Sequence, residues 1–185
     1  AASDVYKRQV FVVVYISFMG YAGDRVTAWL HPELDPGDTG YQILQSLYAI
    51  GSGGLFGLGY GKSRQKYLYL PFQYNDYIFA VICEELGLVG AMAIVALFAV
   101  TILRGYWIAL NARDRFSTVL AAGLVTLIAV QTILNLCVVT NLLPSTGIAL
   151  PFFSYGGTAL AVNLGEMGIV LGISRGRNRR KIQEA

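Results

Sequence analysis

The stretch YLPFQYNDYIFAVICEELGLVGA carries three carboxylates, Asp76, Glu84 and Glu85, at the start of a long apolar run. On a helix turning ~100° per residue, Glu84 points about 80° from Asp76 and Glu85 about 180° away. Asp76 and Glu84 can therefore share a cavity, while Glu85 caps or pairs elsewhere. Ala80, Cys83, Gly87, Gly90 and Ala91 lie near the Asp76 line. Small side chains there leave room for a ligand, and they are equally what close helix packing in a membrane uses. A carboxylate at such a place is a candidate general base, and Asp76 also suits a helix N-cap.

Upstream, GSGGLFGLGYGKS leads into Lys62, Arg64 and Lys66, spaced i, i+2 and i+4. A phosphate-binding Walker loop needs glycine five residues before the Gly-Lys-Ser glycine, and that position holds Phe56. Two readings remain. The glycines make a tight loop packed on the membrane surface, or they present the three cations to an anionic group such as a lipid pyrophosphate or headgroup. Gln131 and Asn135, four residues apart, read chiefly as interhelical hydrogen-bonding glue. Glu166 inside the last apolar run is costly unless paired and hints at a polar interior. His31, the only histidine, reads as an ordinary loop residue, and Cys83 and Cys137 as small hydrophobes.

These residues must be positioned by membrane helices. The 185-residue chain is 55% hydrophobic and only 14% charged, with a mean hydropathy of +0.54. Such a composition excludes a disordered chain, a nucleic-acid-binding domain and a disulfide-stapled module. Apolar runs at about 10–23, 77–103, 117–143 and 156–173 each approach the ~20 residues that cross a bilayer core. The fold class is thus all-α and polytopic, with about four spanning helices. If the runs alternate, ten basic residues fall on one side, while Arg25, Lys62, Arg64 and Lys66 fall on the other. The positive-inside rule then puts the 104–116 loop and the tail from about 174 to 185 in the cytoplasm, and the loop from about 24 to 76 outside. Within that loop YQILQSLYAIG reads as a short amphipathic helix at the interface. NLLPSTGIALPFFSYGGTA is irregular backbone, tolerated at membrane depth only when buried in protein or lining a cavity. Residues 1–9, AASDVYKRQ, resemble a translated adaptor and are read as non-native, with 10–185 the C-terminal part of a longer membrane domain.

Three stretches, AIGSGGLFGLGYGKSRQKYLYLP, NDYIFAVICEELGLVG and LPSTGIALPFFSYGG, together closely resemble the SEDS family, and its division and sporulation branch more than its elongation branch. The resemblance implies a fold of about ten helices, of which this chain holds the last four, with the large outer loop before the eighth. It implies polymerisation of lipid II into glycan strands at the outer face of the bacterial cytoplasmic membrane, by inverting transfer. The implied partners are a class B penicillin-binding protein, which supplies the transpeptidase, and other divisome membrane proteins. The family's essential aspartate, in T-D-F-I-F-A, aligns with Asp76, and the first acidic residue of its E-E-L-G motif with Glu84. Lys62, Arg64, Lys66, Glu84 and Ser154 are then candidate substrate-binding residues. Phe72, Asn75 and Tyr77 depart from the family pattern and bear on the subfamily rather than on activity. No cofactor is implied, and a divalent cation remains open. A lipid-precursor flippase and a non-catalytic scaffold are the competing functions, and the fragment alone is expected to be inactive.

Overall fold

The computed structural model describes residues 23, 25–34, 39–63 and 76–183. Among them the regular structure is entirely helical: α1 (Thr39–Gly53), α2 (Ile78–Leu110), α3 (Arg115–Val139) and α4 (Gly157–Gln183), preceded by a helical turn at 25–30 and a 3-10 turn at Pro32–Leu34. Helices α2 and α3, and Gly157–Gly176 of α4, are long and apolar enough to cross a membrane. Residues 10–22, most of the first apolar run, lie outside the described residues, as do residues 1–9, Arg64 and Lys66.

A four-residue connection joins α2 to α3, short enough to make them an antiparallel pair. Asp114 caps α3, accepting from the Ser117 N–H at 3.0 Å and the Ser117 hydroxyl at 2.9 Å. These bonds hold its carboxyl below the usual carboxylate range. Small residues let the pair approach. A Cβ on Gly105 would lie 2.6 Å from the Val125 side chain, and Ala109, Ala121 and Val125 close the interface with Val170 of α4. At the other end α1 lies across the head of α2 and the tail of α3. Its Ala49 joins Tyr77, Ala80, Cys83, Val139 and Leu150 in one buried cluster, and the buried Ser46 hydroxyl donates to the Ile43 and Val139 carbonyls. The expected amphipathic helix is therefore present, seated on the bundle.

Helix α2 is broken. Gly87 has φ 68° and ψ −170°, a conformation essentially reserved to glycine. In an unbroken helix Leu88 N–H would donate to the Glu84 carbonyl and Val89 N–H to that of Glu85. Instead the glycine-rich segment after α1 takes both partners. Leu58 and Gly59 N–H donate to Glu84 and Glu85 at 2.9 and 3.0 Å, while Leu88 and Val89 N–H donate to the Gly54 and Leu55 carbonyls at 2.9 and 3.2 Å. The loop is spliced into the helix, and the two carbonyls and two amides of this exchange all keep partners. The approach is so close that a Cβ on Gly57 would lie 2.2 Å from the Glu85 carbonyl oxygen, and one on Gly53 2.0 Å from that of Cys83. The small-residue face of α2 is thus filled by this loop at Cys83 and Gly87, which settles the use of those two positions in favour of packing.

Candidate active site

Asp76 stands immediately before α2, where the helix head meets the 140–156 connection. Two amide bonds from Asn135 tie these pieces together: its Nδ2 donates to the Asp76 carbonyl at 2.7 Å and to the Ile148 carbonyl at 2.8 Å. Asn135 is 1% exposed, so it acts as glue, joining a helix head and a loop rather than two helices. Asn135→Ala is expected to remove two bonds worth about 1 kcal/mol each. Asn135→Asp should lower the melting temperature further, since a carboxylate would set acceptor oxygens against two carbonyls. Thermal unfolding of the intact protein compares the two.

The carboxylate of Asp76 faces the turn at Gly147, whose φ is 70°. A Cβ there would lie 3.6 Å from Asp76 Oδ2, so the turn passes close by with no side chain between. Arg25 completes the arrangement. Its Nη1 donates to the Ser145 carbonyl at 2.7 Å, and its charge acts on Asp76. Partial burial pushes the Asp76 carboxyl above its ordinary value, and the Arg25 charge opposes that shift. The adjoining Tyr77 ring is 2% exposed, with its hydroxyl beside Ser145, and burial raises its phenol as well. Trp29, one turn beyond Arg25, donates its indole N–H to the Asn141 carbonyl at 3.0 Å, which anchors the 25–30 turn on the same connection.

The other candidates gather elsewhere. Glu84 lies two turns into α2, ~12 Å along the axis from Asp76. It is 1% exposed and accepts a hydrogen bond from the buried Ser63 hydroxyl. Lys62, just before Ser63, is exposed at the end of the glycine loop. Ser154 accepts from the Leu150 N–H at 2.7 Å and lines a cleft of about 460 Å³ together with Gln131, Ile148, Phe152, Thr158 and Asn163. Phe152 has φ 65°, a strained value for a bulky residue, of the kind that clusters at functional sites. Ile148 is shared, since its carbonyl is held by Asn135 and its side of the loop borders the cleft. Three groups result: Asp76 with Arg25, Glu84 with Ser63 and Lys62, and Ser154 in the cleft wall.

Sequence reasoning counts Arg25 only as an outer-loop cation. Its partner carbonyl is 120 positions away, and no local pattern links the two.

The family model described as a cell cycle protein, FtsW/RodA/SpoVE, matches residues 5–179. Stage V sporulation protein E of Bacillus subtilis is 50% identical over 155 residues, covering 84% of this chain and 42% of that protein. The probable peptidoglycan glycosyltransferase FtsW of Trichlorobacter lovleyi is 45% identical over 166 residues, covering 90% of this chain and 44% of that one. This chain therefore spans a little over two fifths of the length of these curated relatives. Among solved structures, a chain of a peptidoglycan synthase complex that coordinates polymerisation and crosslinking superposes with a TM-score of 0.70 at 29% identity, over 91% of this chain and 46% of that one. The rod shape determining protein RodA of Thermus thermophilus superposes with a TM-score of 0.56 at 32% identity, over 71% and 40%. With this match, and with helices suited to crossing a membrane, the chain belongs to the FtsW, RodA and SpoVE family of cell cycle proteins, as a multi-pass membrane protein.

Proposed function

We propose that the protein carrying this chain is a peptidoglycan glycosyltransferase that polymerises lipid II at the outer face of the cytoplasmic membrane, with Asp76 as its general base. The observation that carries the reading is the Asp76 carboxylate, half-buried at the head of a spanning helix and set between Arg25 and the bare turn at Gly147. Burial raises its proton affinity toward the range useful to a base near neutral pH. In the reaction Asp76 takes the proton of the acceptor hydroxyl as that oxygen bonds to the anomeric carbon. The bond from that carbon to the pyrophosphate oxygen breaks on the opposite face, and its electron pair leaves with the pyrophosphate. Cations stabilise the departing charge. Lys62, Arg64 and Lys66 are assigned this part, and Arg25 joins them as the cation beside the base. Glu84 holds Ser63 and so fixes the start of the segment carrying the three cations, while Ser154 shapes the cleft bordering Ile148.

The partners that fit this activity are lipid II, a class B penicillin-binding protein and divisome membrane proteins. The basic-residue count favours a cytoplasmic C-terminal tail. A pH profile tests the pairing of Arg25 and Asp76. Activity requires the ionised carboxylate, so it falls as pH drops through the Asp76 value. The Arg25 charge lowers that value, so Arg25→Gln is expected to move the acid limb of polymerisation to higher pH. An unmoved limb would separate Arg25 from the base.

A transport reading draws support from α4. Glu166 is 8% exposed within a spanning helix, and its Oε2 has no hydrogen-bond partner among the described residues. Under that reading Glu166→Gln stops movement of a lipid-linked precursor while Asp76→Asn is tolerated. The glycosyltransferase reading expects the reverse in a polymerisation assay.

A further inference from the structure

We propose that the glycine-rich loop is a membrane-interface anchor, with Leu55, Phe56 and Tyr60 seated at the lipid headgroup boundary at the Asp76 end of the bundle and Lys62 held at the height of the lipid phosphates, where a lipid-linked pyrophosphate also lies. Leu55, Phe56 and Tyr60 are 61%, 82% and 89% exposed, three large apolar groups presented by one short loop. The loop cannot retract them. Its four backbone bonds to residues 84–89 of α2 fix its height on that helix, and Gly54, Gly57, Gly59 and Gly61 all carry positive φ.

That height is the edge of the bilayer. At the far end of α2 the Arg104 guanidinium lies 4.6 Å from the centre of the Trp107 ring, a cation and indole of the type that marks a membrane interface. From Arg104 back to the break at Gly87 is ~26 Å of helix, and the hydrocarbon core is ~30 Å thick. The splice therefore sits at the hydrocarbon boundary. Polarity along the loop follows the same direction. Leu55 adjoins Leu88 and Val89, which are 55% and 58% exposed on α2. Beyond it come Phe56, then Tyr60 with its hydroxyl, then the exposed Lys62. Acyl chain, interface and anionic phosphate succeed one another in that order in a lipid leaflet. A protein partner would not require this gradient. An anchor there holds the bend of α2 at constant depth and so sets the height of Asp76, two to three turns above. The inference does not depend on the reaction proposed for Asp76.

The test places a nitroxide at Phe56→Cys in the intact membrane protein. Cys83 and Cys137 are replaced by Ala, as are any other native cysteines, and the protein is reconstituted into phosphatidylglycerol and phosphatidylcholine nanodiscs. Collision rates with oxygen and with a water-soluble nickel chelate are read against spin-labelled lipids of known depth. An Asn111→Cys label in the exposed α2–α3 connection serves as the aqueous reference. The expected result is retained oxygen collision with loss of nickel collision relative to Asn111→Cys, at a depth near the lipid phosphates. Nickel collision equal to that at Asn111→Cys would place the loop in water and overturn the proposal. Exclusion of both reagents would overturn it too, showing the loop covered by another part of the chain, a second copy or a partner. If Phe56→Cys lowers the yield of folded protein, Tyr60→Cys is read by the same criteria.

Discussion

Asp76→Asn in the intact protein is expected to cut glycan polymerisation by about 10²–10⁴-fold, the usual contribution of a general base, with no loss of thermal stability. The amide keeps the size of the carboxyl, and the bond from Asn135 goes to the backbone carbonyl of residue 76, which the substitution does not touch. What it removes is a charge that burial disfavours. The Asp76 carboxyl is raised above its ordinary value of 3.8, so the folded protein binds this proton more tightly than the unfolded chain. The group therefore lowers stability progressively as pH rises from the unfolded value through the folded one. Above the folded value that cost is fully present. At neutral pH Asp76→Asn should thus melt at the same temperature as the native protein or higher, while losing activity. Strand formation from purified lipid II with the cognate transpeptidase, at equal folded amounts, measures one side, and thermal unfolding the other. Polymerisation at the native rate would remove Asp76 as the base.

Gly87→Ala is expected to destabilise the fold strongly. Holding a non-glycine residue at that φ and ψ costs about 1–3 kcal/mol. The added Cβ would also lie 2.3 Å from the Gly57 nitrogen and 2.6 Å from the Leu55 carbonyl oxygen. Backbone on both sides has no rotamer to give. To relieve the clash, the loop must leave the break, and four hydrogen bonds go with it. The expected readouts are a strongly lowered melting temperature and poor recovery of folded protein. Gly123→Ala is the control. That glycine lies in α3 with nothing within 4 Å of an added Cβ, so alanine there should leave stability unchanged or raise it. Equal melting temperatures for Gly87→Ala and the native protein would mean that the helix break does not exist in the membrane.

Much of the architecture is legible in the residues. The apolar runs at 77–103, 117–143 and 156–173 become α2, α3 and α4, because a spanning helix needs only length and apolarity to be recognised. YQILQSLYAIG lies inside α1. The prolines at 144 and 151 mark a connection that is irregular, as expected, and it borders a cleft. Asp76 emerges as the acidic residue at a helix head. The contacts between distant segments are different. CEELGLVG reads as uninterrupted helix, since a glycine there costs only ~1 kcal/mol relative to alanine. What breaks it is a loop some thirty positions earlier, whose donors match the two carbonyls that Gly87 frees. Likewise the Arg25 charge acts on Asp76 because the 25–30 turn docks on the 140–156 connection, Arg25 to the Ser145 carbonyl and Trp29 to that of Asn141. Such pairings arise from tertiary geometry and leave no periodic trace.

The exchange of bonds at Gly87 also orders events in biogenesis. A helix interrupted there without the loop would present bare amide and carbonyl groups at the lipid boundary, each costing several kcal/mol. Residues 78–110 therefore enter the bilayer most cheaply as one straight rod of about 50 Å, longer than the bilayer core. The bend follows when residues 54–59, already synthesised, take over two internal bonds and return four. Insertion and shaping of this span are separate steps, and the second waits on a segment that lies outside the span itself.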